Sequence, residues 1–372
     1  MGEMGVKTLM IAGGGTGGHI YPAIAIAREY IVRDPSRRVI FVGTEKGLEK
    51  QIVPKAGFPL EFIDVGGLKG KGGADLIRNV LRLPRGFSQA ARIVKKHHPN
   101  IVLGVGGYSS TPVMAAARMR GIPTLIHESN AFPGVANRLS AKFATGVAVA
   151  FAEAGARMKR SDAIVTGNPI RAEFFGVEDR RSRLSGQAGL PVLHRLLIFG
   201  GSQGSRILNN TMSEGLLFLA HLAEQLEIVH QTGPSDLDKM KAAYAASAFA
   251  DARVVPYLDP MADEIAAADL IVSRAGAMTI GELAASGRAA ILVPFAAATN
   301  NHQELNARVV ERAGGAIVIT EKQLTAKRLA DAIAEVIADP QRIERMGAAA
   351  KTLAMPDATK NIVDFIEKIQ RD

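Results

Sequence analysis

The sequence contains no cysteine and no tryptophan, and only five of its 372 residues are tyrosine. The absence of cysteine excludes disulfides, thiol catalysis and zinc–thiolate sites. Because single-stranded bases stack on aromatic rings, the low aromatic content disfavours a nucleic-acid partner. No apolar run reaches the ~18 to 20 residues of a membrane-spanning helix, and the first residues lack the pattern of a signal peptide. We therefore expect a cytosolic protein.

Positive charge is concentrated in the first half of the chain. Residues 1–162 hold 23 lysines and arginines against 11 aspartates and glutamates, whereas the remainder holds 22 against 25. This asymmetry favours an anionic partner for the first half, such as an acidic lipid, a phosphorylated substrate or nucleic acid. Solubility alone is the other explanation of the bias.

Short apolar runs alternate with longer segments of helical spacing, which predicts parallel sheets with crossover helices. The pattern begins at residues 7–15 (KTLMIAGGG) and restarts at residues 194–212 (HRLLIFGGSQGSRILNNTM). We predict an α/β fold class, with two Rossmann-like domains whose parallel sheets face a central cleft. The predicted ranges are 1–167, 168–345 and, for a C-terminal helix, 346–372. That helix could pack on either domain, and a return to the first is our working hypothesis.

The first glycine-rich loop, Gly13-x-Gly15-x-x-Gly18, has the spacing of a dinucleotide fingerprint. A nicotinamide enzyme also needs an acidic residue after the second strand, and Glu45 stands near that position. His19, however, follows the loop directly, where its imidazole suits a general base near neutral pH. A capping or core histidine is the structural alternative.

A second glycine-rich loop follows the restart of the pattern. Gly200, Gly201 and Gly204 let the backbone approach an anion, and Ser202 adds a hydroxyl donor. The helix that follows directs its amides and the positive end of its dipole at a diphosphate. A tight turn that requires glycine is the alternative.

The segment 273–287 (SRAGAMTIGELAASG) ends a predicted strand and begins a predicted helix. Its small residues permit close approach of nucleotide phosphates. Glu282 could accept two hydrogen bonds from ribose hydroxyls, since a carboxylate has two acceptor oxygens. Thr279 and Glu282 are also spaced three apart, as in a helix-capping pair.

Two further loops carry polar side chains suited to sugar hydroxyls: His127, Glu128 and Asn130 in one, and Gln303 in the other. Adjacent side chains of an extended segment point to opposite sides, so His127 and Glu128 are not expected to act together. Asp236 stands at a predicted helix start, where aspartates cap helices, and a structural role is expected for it rather than metal binding.

Residues 66–96 mix glycines with basic and apolar residues. The members we single out are Lys69, Lys71, Leu76, Ile77, Val80, Leu81 and Phe87. This composition is typical of a surface that binds anionic headgroups and inserts a few apolar side chains. An amphipathic core helix with a solvated basic face is the alternative, and the positive first half favours the membrane. Pro84 is expected to interrupt the helix.

Seven motifs occur in order between Ile11 and Ala307: GGGTGGHIYPA, GVGGYSS, HESNAFPG, TGNPIR, GGSQGS, RAGAMTIGEL and NNHQELNA. Together they resemble the glycosyltransferase B superfamily. Within it they are most similar to the peptidoglycan-synthesis family that transfers N-acetylglucosamine from its UDP conjugate to undecaprenyl-diphospho-muramoylpentapeptide. The resemblance implies a membrane- and acceptor-facing first domain and a donor-binding second domain.

The resemblance also implies roles for individual residues. His19 matches the position of the general base, with Glu128 as the less favoured candidate. Donor contacts are implied at Thr16, Gly17, Gly18, Asn130, Arg171, Ser202, Leu258 (near uracil), Ala277, Met278, Thr279, Ile280, Gly281, Glu282 and Gln303 (on the sugar). The resemblance implies a peripheral position on the cytoplasmic face of the cell membrane. Because the sequence has no His/Asp/Glu cluster with metal-ligand spacing and few aromatic residues, we expect no metal, no cofactor and no nucleic-acid partner.

The resulting hypothesis is an inverting displacement in which the muramoyl 4-hydroxyl attacks the anomeric carbon of UDP-N-acetylglucosamine. Another UDP-sugar transferase, or a nicotinamide oxidoreductase that uses Glu45, is the alternative.

Overall fold

The structure, a computed structural model, describes residues 6–66, 73–175, 193–201 and 203–371, with residues 73–83 and 299 through their backbone alone. Its contacts divide the chain into two compact units. Unit 1 comprises residues 1–170 and 355–372, and unit 2 comprises residues 171–354. No helix of the described residues is long and apolar enough to cross a membrane.

Unit 1 contains a sheet of seven parallel strands in the order β3-β2-β1-β4-β5-β6-β7. The strands are β1 (Thr8–Gly13), β2 (Arg38–Gly43), β3 (Leu60–Phe62), β4 (Ile101–Gly106), β5 (Thr124–Glu128), β6 (Gly146–Val149) and β7 (Ile164–Val165). All residues of β1, β4 and β5 are buried. Their continuous apolar runs follow from this position, because both faces of a parallel sheet are covered.

Helices cover both faces of this sheet. They are α1 (Gly17–Arg33), α2 (Glu49–Lys55), α3 (Gly73–His97), α4 (Ser110–Arg118), α5 (Val135–Ser140), α6 (Ala152–Arg157) and α14 (Ala358–Ile369). Leu9 and Ile11 of β1 pack in the cluster that contains α1 and α14. Met10 lies on the opposite face of the sheet and packs in the cluster that contains α3 and α4. This alternation is the two-residue period of a strand.

The C-terminal helix α14 returns to unit 1 and lies against α1. Buried Ile362 and Ile366 join the core beneath α1, and Arg37 Nη1 lies 2.8 Å from Glu367 Oε1. The boundary expected at residue 346 falls inside α13 (Pro340–Lys351), which packs within unit 2. The chain joins unit 1 again at Met355.

Unit 2 contains a sheet of six parallel strands in the order β10-β9-β8-β11-β12-β13. The strands are β8 (His194–Phe199), β9 (Leu226–Gln231), β10 (Arg253–Val255), β11 (Leu270–Ser273), β12 (Ala289–Leu292) and β13 (Ala316–Val318). Its other helices are α7 (Arg206–Leu219), α8 (Leu237–Ala245), α9 (Met261–Ala267), α10 (Ala277–Ser286), α11 (His302–Ala313) and α12 (Ala326–Ile337). Short 3₁₀ turns occur at Ala172–Phe174, Ala220–Leu222, Pro234–Asp236 and Thr299–Asn301.

Both sheets reverse their strand order at one point, between β1 and β4 in unit 1 and between β8 and β11 in unit 2. The loops that leave the carboxyl ends of such central strands diverge, which opens a crevice where ligands of this fold class bind. The prediction of two Rossmann-like α/β domains with parallel sheets is confirmed. In each unit, the glycine-rich loops found in the sequence lie at this reversal.

Candidate functional site

In unit 1, the glycine loop after β1 packs directly on the loop after β4. The amide of Gly14 donates to the carbonyl of Gly106 at 3.3 Å. A Cβ at Gly13 would overlap that carbonyl, and a Cβ at Gly107 would stand 2.7 Å from the carbonyl oxygen of Gly14. Only glycine allows the two loops to approach this closely.

His19, in the first turn of α1, is held against this loop. Its Nδ1 lies 3.1 Å from the carbonyl oxygen of Gly14 and 3.4 Å from Thr16 Oγ1. Because a carbonyl oxygen can only accept, the hydrogen bond to Gly14 places the proton on Nδ1. The neutral imidazole then carries its lone pair on Nε2. That atom lies 3.1 Å from where a Cβ of Gly106 would stand, at the reversal point of the sheet.

Glu49, which the sequence analysis missed, occupies the pocket behind the glycine loop. It is 1% exposed, and its Oε2 accepts from the amide of Gly15 at 2.7 Å. Its Oε1 accepts from the amide and hydroxyl of Thr44 at 2.8 and 2.9 Å. Glu45, the residue that a nicotinamide enzyme would use, is exposed instead. The available signal was a pair of glycines, at positions 43 and 47, shortly before Glu49, since a Cβ at either would overlap its side chain.

Glu128, at the end of β5, has both carboxylate oxygens engaged. Oε1 accepts from the amide and the side chain of Asn130 at 2.9 and 3.1 Å. Oε2 accepts from the Gly134 amide and the Asn137 side chain, both at 2.9 Å. Four donors fill the roughly four lone-pair positions of a carboxylate. The geometry therefore supports a loop-holding role for Glu128 and argues against its candidacy as a base.

His127 is buried on the other side of β5, and its Nε2 lies 3.1 Å from the Gly167 carbonyl oxygen. Burial lowers the pKa of His127, because the charged imidazolium loses solvation. The neutral ring connects β5 with Gly167, near the end of the first chain segment of unit 1. His127 and Glu128 thus bind different partners.

In unit 2, the second glycine loop packs on the loop after β9. Gly204 has φ +75°, and a Cβ there would overlap the carbonyl of Thr232. Gly201 has φ +96° and open space around it. The N-cap residue of α7, Ser205, does not bond the first amides of the helix with its own side chain, and these amides face the loop. The predicted contact at Ser202 lies outside the described residues.

A buried chain of hydrogen bonds supports this second loop. Asn209 on α7 donates to the Thr232 carbonyl at 2.9 Å and to Asp236 at 2.8 Å. Its Oδ1 lies 3.1 Å from His230 Nε2, and His230 Nδ1 lies 3.0 Å from the Tyr244 hydroxyl. Burial lowers the pKa of His230 to about 3 and raises that of Tyr244. Asp236 is thus structural as expected, although it holds Asn209 rather than capping a helix with its side chain.

Arg274, which the sequence analysis also missed, joins the loops after β8 and β12. Its Nε donates to Ser205 Oγ at 3.1 Å, and its Nη1 donates to the Val293 carbonyl at 3.1 Å and pairs with Glu321 at 2.7 Å. Burial lowers the pKa of Arg274, although an arginine keeps its charge at physiological pH. The guanidinium of Arg274, paired with Glu321, therefore lies beside the N-terminus of α7.

The helix α10 begins at Ala277, and its N-cap residue is Gly276, which has no side chain that could cap the helix. Ala277 and Ile280 are buried, whereas Met278, Thr279 and Gly281 are half-buried. The amide of Ile280 already donates to the Gly276 carbonyl at 2.9 Å. No hydrogen bond joins Thr279 to Glu282, so the capping alternative is not observed. The amides of this first turn point along the helix axis, as an anion site requires.

Glu282 lies one turn further along α10 and is half-buried. Burial raises its pKa to about 7, while the charge of Arg171 partly opposes that rise and Glu173 adds to it. Arg171 is exposed, lies over the Phe174 ring and pairs with Glu173 at 2.8 Å. A carboxyl group that titrates near neutrality suits a site completed by hydroxyl donors of a ligand.

Gln303 connects the loop before α10 with the loop before α11. Its Oε1 accepts from the amides of Ala275 at 3.2 Å and Phe295 at 3.0 Å. Since both partners are donors, the side-chain NH₂ must point away from them, where a sugar hydroxyl could accept from it. Asn306, which the sequence analysis missed, donates to the Ala275 carbonyl at 3.2 Å. Leu258 is 4% exposed, so its predicted contact with uracil could involve the backbone alone.

The predicted membrane segment is described in part. Lys69 and Lys71 lie outside the described residues, and the side chains of Leu76, Ile77, Val80 and Leu81 are not described. Phe87 is partly buried against the unit 1 core. The prediction that Pro84 interrupts the helix is wrong, since α3 runs from Gly73 to His97. Pro84 is exposed, where solvent can satisfy the carbonyl that proline leaves without a donor.

Comparisons with known proteins agree with this architecture. Models of the glycosyltransferase family 28 N-terminal and C-terminal domains match residues 9–149 and 195–362. The UDP-N-acetylglucosamine–N-acetylmuramyl-(pentapeptide) pyrophosphoryl-undecaprenol N-acetylglucosamine transferase of Pelobacter propionicus is 41% identical over 96% of this chain and 98% of its own. The enzyme of that name from Anaeromyxobacter sp. strain K is 44% identical over 98% and 93%.

Among solved structures, Acinetobacter baumannii MurG superposes with a TM-score of 0.81 at 30% identity, covering 97% of this chain and 99% of that chain. The match therefore extends over both units and does not rest on one shared domain. The chain belongs to glycosyltransferase family 28 and, within it, to the family of the UDP-N-acetylglucosamine–N-acetylmuramyl-(pentapeptide) pyrophosphoryl-undecaprenol N-acetylglucosamine transferases.

Proposed function

We propose that the chain transfers N-acetylglucosamine from UDP-N-acetylglucosamine to the muramoyl 4-hydroxyl of undecaprenyl-diphospho-muramoylpentapeptide, with inversion at the anomeric carbon. The observation that carries the mechanism is the 3.1 Å contact between His19 Nδ1 and the Gly14 carbonyl oxygen, because that acceptor requires the proton on Nδ1 and leaves Nε2 as the base. The names of relatives that match nearly the whole chain support the choice of substrates.

In the proposed reaction, His19 Nε2 takes the proton of the 4-hydroxyl while that oxygen forms its bond to the anomeric carbon. The bond from this carbon to the UDP oxygen breaks in the same step, so the configuration inverts and UDP leaves with the electron pair. Because a general base must hold its lone pair toward the proton it removes, the Nδ1–H form of His19 is the required one.

Unit 2 supplies the groups that suit the UDP part of the donor. The N-termini of α7 and α10 and the guanidinium of Arg274 would offset the negative charge that develops on the departing diphosphate. Glu282 would accept from the ribose hydroxyls, and the NH₂ of Gln303 would donate to the sugar. The predicted donor contacts at Thr16, Gly17, Gly18, Asn130 and Leu258 are part of the same proposal.

We also propose that the protein binds the cytoplasmic face of the cell membrane as a peripheral protein. The lipid-linked acceptor named for the relatives requires access to a membrane surface. The excess of basic residues in the first 162 positions supports attraction to anionic headgroups.

Calorimetric titration with UDP-N-acetylglucosamine, beside UDP-glucose and NADH, tests the donor assignment. We expect selective binding of UDP-N-acetylglucosamine that persists in EDTA, since backbone amides and Arg274 supply the positive field. Binding of NADH without binding of the UDP-sugar would contradict the donor assignment and indicate that the first glycine loop binds a dinucleotide.

Replacing His19 with alanine tests the base. Turnover should fall by ~10²-fold or more while the donor dissociation constant stays near the wild-type value. His221→Ala, which removes an exposed histidine of unit 2, is the matched control. An equal loss of donor affinity in His19→Ala would show that the histidine binds substrate rather than removing a proton.

A further inference from the structure

Two side chains bind opposite ends of the same peptide group in the first glycine loop. The amide of Gly15 donates to Glu49 Oε2 at 2.7 Å. The carbonyl oxygen of Gly14 lies 3.1 Å from His19 Nδ1. These two groups belong to one planar, conjugated peptide unit. The carboxylate of Glu49 and the imidazole of His19 are therefore joined through a single peptide.

We propose that Glu49 is a positioning residue that acts on His19 through the Gly14–Gly15 peptide; this inference rests on the proposed role of His19 as the base. Donation from the Gly15 amide to an anion increases the negative charge on the Gly14 carbonyl oxygen, because linked hydrogen bonds polarise one another. The carbonyl then holds the Nδ1 proton more firmly and stabilises the imidazolium that forms when Nε2 takes a proton. In serine proteases a carboxylate does this by direct contact with the histidine.

The pocket around Glu49 is built for a carboxylate. Its three donors, one from Gly15 and two from Thr44, approach both oxygens, and all three are neutral. A glutamine has only one acceptor oxygen, so its NH₂ would face either the Gly15 amide or the two donors of Thr44. A Cβ at Gly14 or Gly47 would overlap the carboxylate, so the surrounding chain is shaped to its position.

A purely structural role for Glu49 makes a different prediction from the relay. Loss of a structural anchor would lower stability and activity together and would disturb substrate binding as the loop moves. Loss of the relay would lower kcat, leave the KM for UDP-N-acetylglucosamine nearly unchanged, and alter the tautomer of His19.

The first measurement uses the full chain labelled with ¹⁵N-histidine, in which nitrogen chemical shifts report the tautomer. The His19 signals are assigned from their absence in His19→Ala. The wild type should show His19 with Nδ1 protonated and Nε2 bare. Finding the Nε2–H form in the wild type would overturn the proposal, and this test does not depend on any Glu49 variant being folded.

The second measurement compares Glu49→Gln with two controls. Thr44→Val removes one donor to Glu49 Oε1 but keeps the charge and the bond to Gly15. Glu61→Gln removes a carboxylate of the same unit that binds Lys96 and His97 instead. We expect kcat to fall at least about tenfold in Glu49→Gln alone, with KM for UDP-N-acetylglucosamine within about twofold and a larger Nε2–H fraction.

The two proposals fail in distinguishable ways. If His19→Ala retains activity, the base assignment fails, whereas the tautomer still reports whether Glu49 acts on His19. If Glu49→Gln keeps the wild-type tautomer, or if Thr44→Val at equal stability loses as much kcat, Glu49 is a structural anchor and the relay is refuted.

Discussion

Replacing Glu282 with glutamine should stabilise the protein while it weakens donor binding. The folded chain raises the pKa of Glu282 to about 7 from an ordinary value of 4.5, chiefly through burial. One pKa unit corresponds to about 1.4 kcal/mol. The ionised carboxylate therefore costs the folded protein about 3 kcal/mol at most, a cost that glutamine removes.

The contribution of Glu282 to the free energy of unfolding changes with pH in a definite direction. Because the folded pKa lies above the unfolded value, stability is highest below pH 4.5 and declines as the pH rises toward 7, where Glu282 ionises. The advantage of Glu282→Gln should therefore be about 3 kcal/mol at pH 8 and less than about 1 kcal/mol at pH 5. His230 titrates with the opposite effect, since burial lowers its pKa to about 3, but it contributes equally to both proteins and cancels in the difference.

Urea denaturation of both proteins at pH 5 and pH 8 measures this difference. Glu335→Gln is the matched control, because Glu335 is an exposed glutamate of α12 that pairs with Arg342 and should change stability by about 1 kcal/mol or less. Equal stabilities of wild type and Glu282→Gln at pH 8, or a difference that persists at pH 5, would refute the argument from burial.

The same variant tests the ribose assignment. A carboxylate accepts from two hydroxyls, and hydrogen bonds to charged groups contribute about 1.5 to 3 kcal/mol. The affinity of Glu282→Gln for UDP-N-acetylglucosamine should fall about tenfold or more at pH 8. Wild-type affinity should itself fall below pH 7 as Glu282 takes up a proton, whereas the variant should lack this dependence. Unchanged affinity would separate Glu282 from the donor site.

Two further predictions concern the second glycine loop and the membrane. Gly204→Ala should lower the free energy of unfolding by more than about 2 kcal/mol, because Gly204 has φ +75° and a Cβ would overlap the Thr232 carbonyl. Gly201 has φ +96° and open space around it, so Gly201→Ala should lower the free energy of unfolding by only about 1 kcal/mol in the same urea titration. Equal effects would contradict the packing argument. The protein should sediment with vesicles that contain anionic lipid but not with neutral ones, and salt should release it. The double variant Lys69→Glu/Lys71→Glu should bind anionic vesicles less than the wild type does. Unaltered vesicle binding would show that this segment is not part of the membrane-binding surface.

Several site residues were predictable because their signal is local. Glycines at a strand end, followed by a helix, predict an anion site whatever the rest of the chain does, and both such loops lie at the sheet reversals. The position of His19 after the first loop is likewise a property of adjacent residues. Pro84 shows the limit of local rules, since α3 continues through it on an exposed surface.

Other site residues were missed because their role arises between distant positions. Glu49 binds an amide 34 residues away, and Arg274 binds a hydroxyl 69 residues away. Glu45 was the more obvious acidic residue by spacing alone, yet the turn after β2 leaves it exposed and buries Glu49. Glu128 resembled a base until its four donors were located.

The alternation of strands and helices, the two domains, the glycine loops and the family could all be predicted from the sequence, because each depends on residue type and spacing along the chain. The acceptor that faces His19 Nδ1, the four donors around Glu128 and the burial that raises the pKa of Glu282 to about 7 are properties of the folded chain. Tautomers and pKa values depend on the donors, charges and solvent within a few ångströms of a group, and folding brings these from separate parts of the chain.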